Sequence, residues 1–93
     1  MDTLHMSKSI FTREYGVFRE LLRDLRTERG FTQSQLSETV RVPQSFVSKY
    51  ETGERRLDVI ELRIVCDALG ITLTAFVKKL EARLPKSNEG GLP

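Results

Sequence analysis

Proline at position 43 separates two short stretches that each have one apolar side, and this leaves the chain few folds. Before it, Thr32 stands as an N-cap with Gln35 three places on, the pattern of a capping box. Leu36 and Val40 follow at i, i+4 spacing and give a short helix its inward face. The run Arg41-Val42-Pro43 ends that helix, because proline has no N–H to donate and pushes Val42 out of the α region. Beyond it, residues 44–51 form a second short helix, with Val47 and Tyr50 inward and Gln44, Ser45, Ser48 and Lys49 outward. Gly53 supplies a left-handed C-cap. Two short helices about a tight corner, the second polar on its outer side, make a helix-turn-helix able to place side chains in a major groove.

The chain from about Leu22 to Leu80 resembles the Cro/repressor-type helix-turn-helix of the XRE family of bacterial and phage regulators. The resemblance is carried by three segments in order. They are Leu-Arg-Thr-Glu-Arg-Gly-Phe-Thr-Gln-Ser-Gln-Leu-Ser from Leu25, Val-Pro-Gln-Ser-Phe-Val-Ser-Lys-Tyr-Glu-Thr-Gly-Glu from Val42, and Ala-Leu-Gly-Ile from Ala68. It implies an all-α, five-helix, lambda-repressor-like domain. It also implies that Gln44, Ser45 and Lys49 face the bases, and the chemistry agrees. Glutamine bonds adenine bidentately, lysine donates to guanine, and serine serves either. Phe46 has two open roles, a thymine methyl contact or packing against the first helices. Gln33 matches the family's phosphate-binding glutamine, aided by the amides at its helix start. Thr52, Arg55 and Arg56 match the loop that follows the DNA backbone. Arg26 and Glu51 match a partly buried ion pair, which agrees with the cost of leaving a glutamate unpaired beside the inward Tyr50. The chain departs from the family at the corner. Arg41 stands where glycine is usual, and Pro43 where a capping Ser or Thr is usual. A non-glycine residue with φ > 0 costs on the order of 1 kcal/mol.

The outer segments complete the domain. Residues 1–11 lack apolar periodicity and read as a flexible N-terminal segment. Thr12 is the expected N-cap of the first helix, which runs to about Arg29 with Tyr15, Phe18, Leu21, Leu22 and Leu25 as its apolar stripe. Gly16 inside it costs roughly 1 kcal/mol relative to alanine. Its many charges read mostly as a solvated face with i, i+3 and i, i+4 pairs. Asp58 and Glu61 repeat the capping-box pattern before a fourth helix whose core face is Val59, Leu62, Val65, Cys66 and Leu69. Thr72 caps a fifth, with Leu73, Phe76, Val77, Leu80 and Leu84 in its stripe. Pro85 stops it, so residues 12–84 form the domain and 85–93 a disordered tail. Ile60 and Ile64 lie on another face from Leu62 and Val65, and with Val77 and Leu84 they exceed what a small core consumes. A homodimer interface is the simplest use for that surplus.

Composition serves chiefly to exclude. Ninety-three residues suit one small domain. A net charge of +2 would not by itself suggest nucleic acid. The single Cys66 excludes an internal disulfide and fits the reducing cytoplasm; it reads as a packed thiol. No apolar run has membrane-spanning length, and no signal peptide core is present. His5, the sole histidine, sits in the N-terminal segment with no partner for a metal, and no phosphate-loop spacing occurs. The expectation is a non-enzymatic regulator without cofactor, metal or evident small-molecule ligand, binding a double-stranded DNA operator as a homodimer, most simply as a repressor. The alternatives are an antitoxin or a restriction-modification controller of the same fold, or a helical interaction module that has lost DNA binding.

Overall fold

Five helices, α1 (Asp2–Glu28), α2 (Gln33–Val40), α3 (Gln44–Thr52), α4 (Val59–Ala68) and α5 (Leu73–Arg83), make up the computed structural model, with no strand among the described residues. Residues 2–85 are described, with side chains from residue 13 onward. The expected tail beyond Pro85 and the side chain of His5 lie outside them.

α1 begins at Asp2, ten residues ahead of the start expected at Thr12, and so replaces the flexible segment read from the sequence. The physical reason is plain. Residues 2–15 contain neither proline nor glycine, and a missing apolar stripe argues against a packed face, not against a helix. Gly16 passes through unbroken, with the Arg19 side chain at an ordinary 3.7 Å from where a Cβ would stand.

Both predicted capping boxes are formed. Thr32 accepts from the amide of Gln35 and Asp58 from that of Glu61, while each partner's side chain returns to the cap's own amide. Thr72 caps α5 by accepting from the Ala75 amide. At the corner Arg41 adopts φ 62°, ψ 50°, the same left-handed turn a glycine would make, and its amide bonds the carbonyls of Glu38 and Ser37. Arg41 is the one non-glycine with positive φ among the described residues. The strain is tolerated rather than avoided. Arg41→Gly should therefore raise the unfolding free energy by up to ~1 kcal/mol, because relief of the αL penalty exceeds glycine's extra unfolded-state entropy. Urea denaturation checks this, and a loss of stability would mean the arginine side chain contributes more than its backbone costs.

The core is built from every helix. Leu21 and Leu22 come from α1, Leu36 from α2, Val47 and Tyr50 from α3, Leu62, Val65 and Cys66 from α4 with Leu69 just beyond, and Phe76 from α5. Each such burial is worth ~1.5–3 kcal/mol against exposure. Phe18 meets Phe76 edge-on, ring centres 5.7 Å apart, and locks α5 onto α1. Val59, expected in the core, is instead 60% exposed, since it occupies the first position of α4 and Leu57 packs inward ahead of it. Val77 departs likewise from the α5 stripe and is exposed, whereas Leu73, Leu80 and Leu84 are half-buried. Cys66 is fully buried, and burial, with Asp67 second, pushes its thiol up to about 11, so it stays protonated and packs as a small apolar group. No described helix is long and apolar enough to cross a membrane.

Candidate nucleic-acid interface

The exposed side of α3 carries the residues expected to face bases. Gln44, Ser45 and Lys49 are exposed, on a helix one residue longer than the expected 44–51. Val47 and Tyr50 on its opposite side are fully buried, which fixes how far the helix can roll. Burial of the Tyr50 phenol raises its pKa and keeps it neutral, and its hydroxyl has no protein partner among the described residues.

A chain of polar groups runs from the interior to this face. Arg26 donates to Glu51 through Nε at 2.7 Å and Nη2 at 3.1 Å, and its Nη1 donates to the carbonyl of Phe31 at 2.8 Å. The two side chains are only 11% and 5% exposed, so the expected pair is present and desolvated. Glu51 Oε1 also accepts from Gln33 Nε2 at 2.9 Å. That bond turns the Gln33 carbonyl oxygen toward Gln44, whose Nε2 lies at 3.5 Å, the outer limit of a hydrogen bond.

Arg19 belongs to the same assembly and escaped the sequence reading. Its Nη1 donates to the Glu51 backbone carbonyl at 2.8 Å, and its side chain lies against Gly53, where an added Cβ would stand 3.2 Å from Nε. The φ of 91° is what asks for glycine at 53, and an added Cβ would also push the Arg19 side chain by a few tenths of an ångström. Nothing in the sequence separates Arg19 from its charged neighbours, because its partner is 32 residues away.

The residues expected to hold phosphates are placed unequally. Gln33 is turned toward Glu51, but the capping box on Thr32 leaves the first-turn amides of Gln33 and Ser34 as free donors. Thr52 spends its hydroxyl hydrogen on the Lys49 carbonyl at 3.2 Å. Arg55 is bound to Glu61 through two hydrogen bonds of 2.8 and 3.1 Å. Glu61 is pulled down to about 2, first by Arg55 and then by the Asp58 amide. The pair's contribution is therefore fully present above the usual carboxylate pKa and is lost as pH falls from there to about 2. Arg56 remains exposed, its guanidinium 4.3 Å over the ring of Tyr15. Phe46 packs beside Tyr50 of its own helix and Arg55 of the following loop. It is half-buried, edge-on to Tyr50 at 5.9 Å, with Arg55 over its ring at 4.3 Å.

Ile60, Ile64 and Val77 are 64%, 50% and 42% exposed, so three of the four surplus apolar residues do lie outside the monomer's core. Leu84 instead lines a shallow apolar groove of about 380 Å³ with Phe18, Leu57, Val59 and Leu80. Among the described residues no group of three or more His, Cys, Asp or Glu could hold a metal ion.

A sequence profile of the helix-turn-helix family matches residues 22–76, the span that holds α2, the corner and α3. The chain belongs to that family. Within it the chain is of the XRE type. A solved XRE-family like protein from Pseudomonas syringae pv. tomato is 42% identical, with a TM-score of 0.77, and the match covers 86% of this chain and 98% of that one. The clp gene regulator ClgR from C. glutamicum, 24% identical with a TM-score of 0.69 over 80% of this chain and 96% of its own, shares the fold. The HTH-type transcriptional regulator RamB of Mycobacterium tuberculosis is 32% identical over 63 residues, 68% of this chain. Those residues make up only 13% of RamB.

Proposed function

We propose that this XRE-type chain is a non-enzymatic, sequence-specific transcriptional regulator that binds a double-stranded DNA operator in the cytoplasm. It acts as a homodimer, most simply a repressor that occludes a promoter. The observation that carries the reading is the polar chain ending on Gln44. Gln33 takes one of the two Gln44 amide hydrogens and leaves one donor beside a free acceptor. A donor and an acceptor side by side are what an adenine edge requires in the major groove. At 3.5 Å the bond orients the Gln44 amide without holding it rigidly, so discrimination also depends on what fixes the turn that carries it.

Lys49 reaches a base edge in this arrangement, and Arg56 meets a phosphate. Duplexes selected by the protein from a random pool supply the operator, and salt titrations on selected and scrambled duplex then separate the two roles. Lys49→Ala should relax the preference at one operator position, at a cost of ~1–3 kcal/mol in discrimination, with binding to scrambled duplex changed less. Arg56→Ala should weaken both duplexes alike and lower the log K versus log salt slope by roughly one per protomer. If Arg56→Ala changed base preference while Lys49→Ala left it intact, the placement of α3 in the major groove would be wrong. A protein that binds no duplex at low salt would instead be a helical interaction module.

A further inference from the structure

We propose that Arg55 acts on DNA recognition from behind the interface, as a positioning residue that fixes Phe46 and the first turns of α3, and not as a phosphate contact. The proposal rests on the reading of α3 as the DNA-reading helix.

Arg55 is already committed on several sides. Its Nη2 donates to Glu61 Oε2 at 2.8 Å, and its Nη1 donates both to Glu61 Oε1 at 3.1 Å and to the Arg56 carbonyl at 2.8 Å. One face of the guanidinium covers the ring of Phe46 at 4.3 Å. A planar fork satisfied by a carboxylate on its edge and an aromatic ring on its face is a well-defined arrangement that lysine cannot reproduce. Glu61 is itself held, since its Oε1 also accepts from the Asp58 amide at 2.9 Å in the α4 capping box. The position of Arg55 is therefore set by the start of α4, and a phosphate would have to break the bidentate pair to claim it.

What Arg55 supports is the weakly anchored end of α3. Pro43 stands at the N-cap with no side-chain capping hydrogen bond, and only its carbonyl helps, accepting from the Phe46 amide at 2.9 Å. The Gln44–Gln33 bond there is long, at 3.5 Å. Phe46 is the first α3 side chain packed against the core, and its ring lies edge-on to the fully buried Tyr50 and beneath Arg55. Ring and guanidinium together brace the turn that carries Gln44 and Ser45. Loss of the brace lets that turn move, which costs discrimination without removing a charge from the DNA backbone.

Glu61→Gln gives the sharpest test, because the two roles predict opposite signs. Glutamine at the third helical position still completes the capping box, so the change removes chiefly the ionic pair. If Arg55 were a phosphate contact held back by Glu61, its release would tighten binding to every duplex. As a positioning residue, Arg55 loses its anchor, and preference for the selected over the scrambled duplex should fall roughly tenfold, within the range that one base contact confers. Arg55→Lys should do the same with an unchanged salt slope, although the charge is kept. The double variant should be no worse than either single one, because both break the same brace. Each variant is first checked by circular dichroism for native helicity at the assay temperature. Tighter binding by Glu61→Gln would overturn the proposal, as would Arg55→Lys matching wild type in discrimination. In either case wild-type binding would leave the DNA-binding reading standing. If the wild type bound neither duplex at low salt, both would fall.

Discussion

Arg26→Ala should lower the unfolding free energy by ~3–5 kcal/mol, because it strands the Glu51 carboxylate in a site with almost no water. The arginine satisfies both Glu51 oxygens and the Phe31 carbonyl, so one truncation leaves several buried acceptors short of donors. Arg23→Ala is the control. Arg23 is exposed on the same helix, and its loss should cost a few tenths of a kcal/mol. Urea denaturation of the two variants under one set of conditions gives the comparison. Small, equal effects would show that the pair is not desolvated in solution. The loss should also reach the DNA face, since Glu51 no longer orients Gln33 and Gln33 no longer orients Gln44.

Ile64→Asp should dissociate the proposed dimer while sparing the protomer. Ile64 is half exposed and Ile60, one turn earlier, more so, hence an aspartate there meets water in the monomer. In an apolar interface the same carboxylate is desolvated without a partner. A penalty of ~3 kcal/mol or more per dimer would raise its dissociation constant by over a hundredfold. Analytical ultracentrifugation measures this directly, with helicity as the check on folding. Wild-type protein that sediments as a monomer even at high concentration would sink the hypothesis. Binding to the selected duplex should weaken too, because two linked half-sites are then engaged one at a time.

Features whose partners lie within one helical turn follow directly from residue spacing. Thr32 with Gln35, Asp58 with Glu61, and the Thr72 cap are local pairs, so their spacing alone specifies the bond. The corner is local too. Pro43 cannot continue α2, and Arg41 takes the left-handed turn because the amides of the corner have the Ser37 and Glu38 carbonyls to satisfy. The buried stripe was legible from periodicity at Leu22, Leu36, Val47, Leu62 and Phe76, since an apolar face at helical spacing has nowhere else to go. The Arg26–Glu51 pair, 25 residues apart, became legible only through resemblance to a known family. The partners of the remaining charges depend on how the helices pack. Arg19 on the Glu51 carbonyl, Arg55 on Glu61, and Arg83 on Asp24 at 3.0 Å look in the sequence like any surface charge. A long flexible cation stays in water or finds a carboxylate according to where distant backbone brings its partner. That placement is a property of the packed helices and not of any short window of residues.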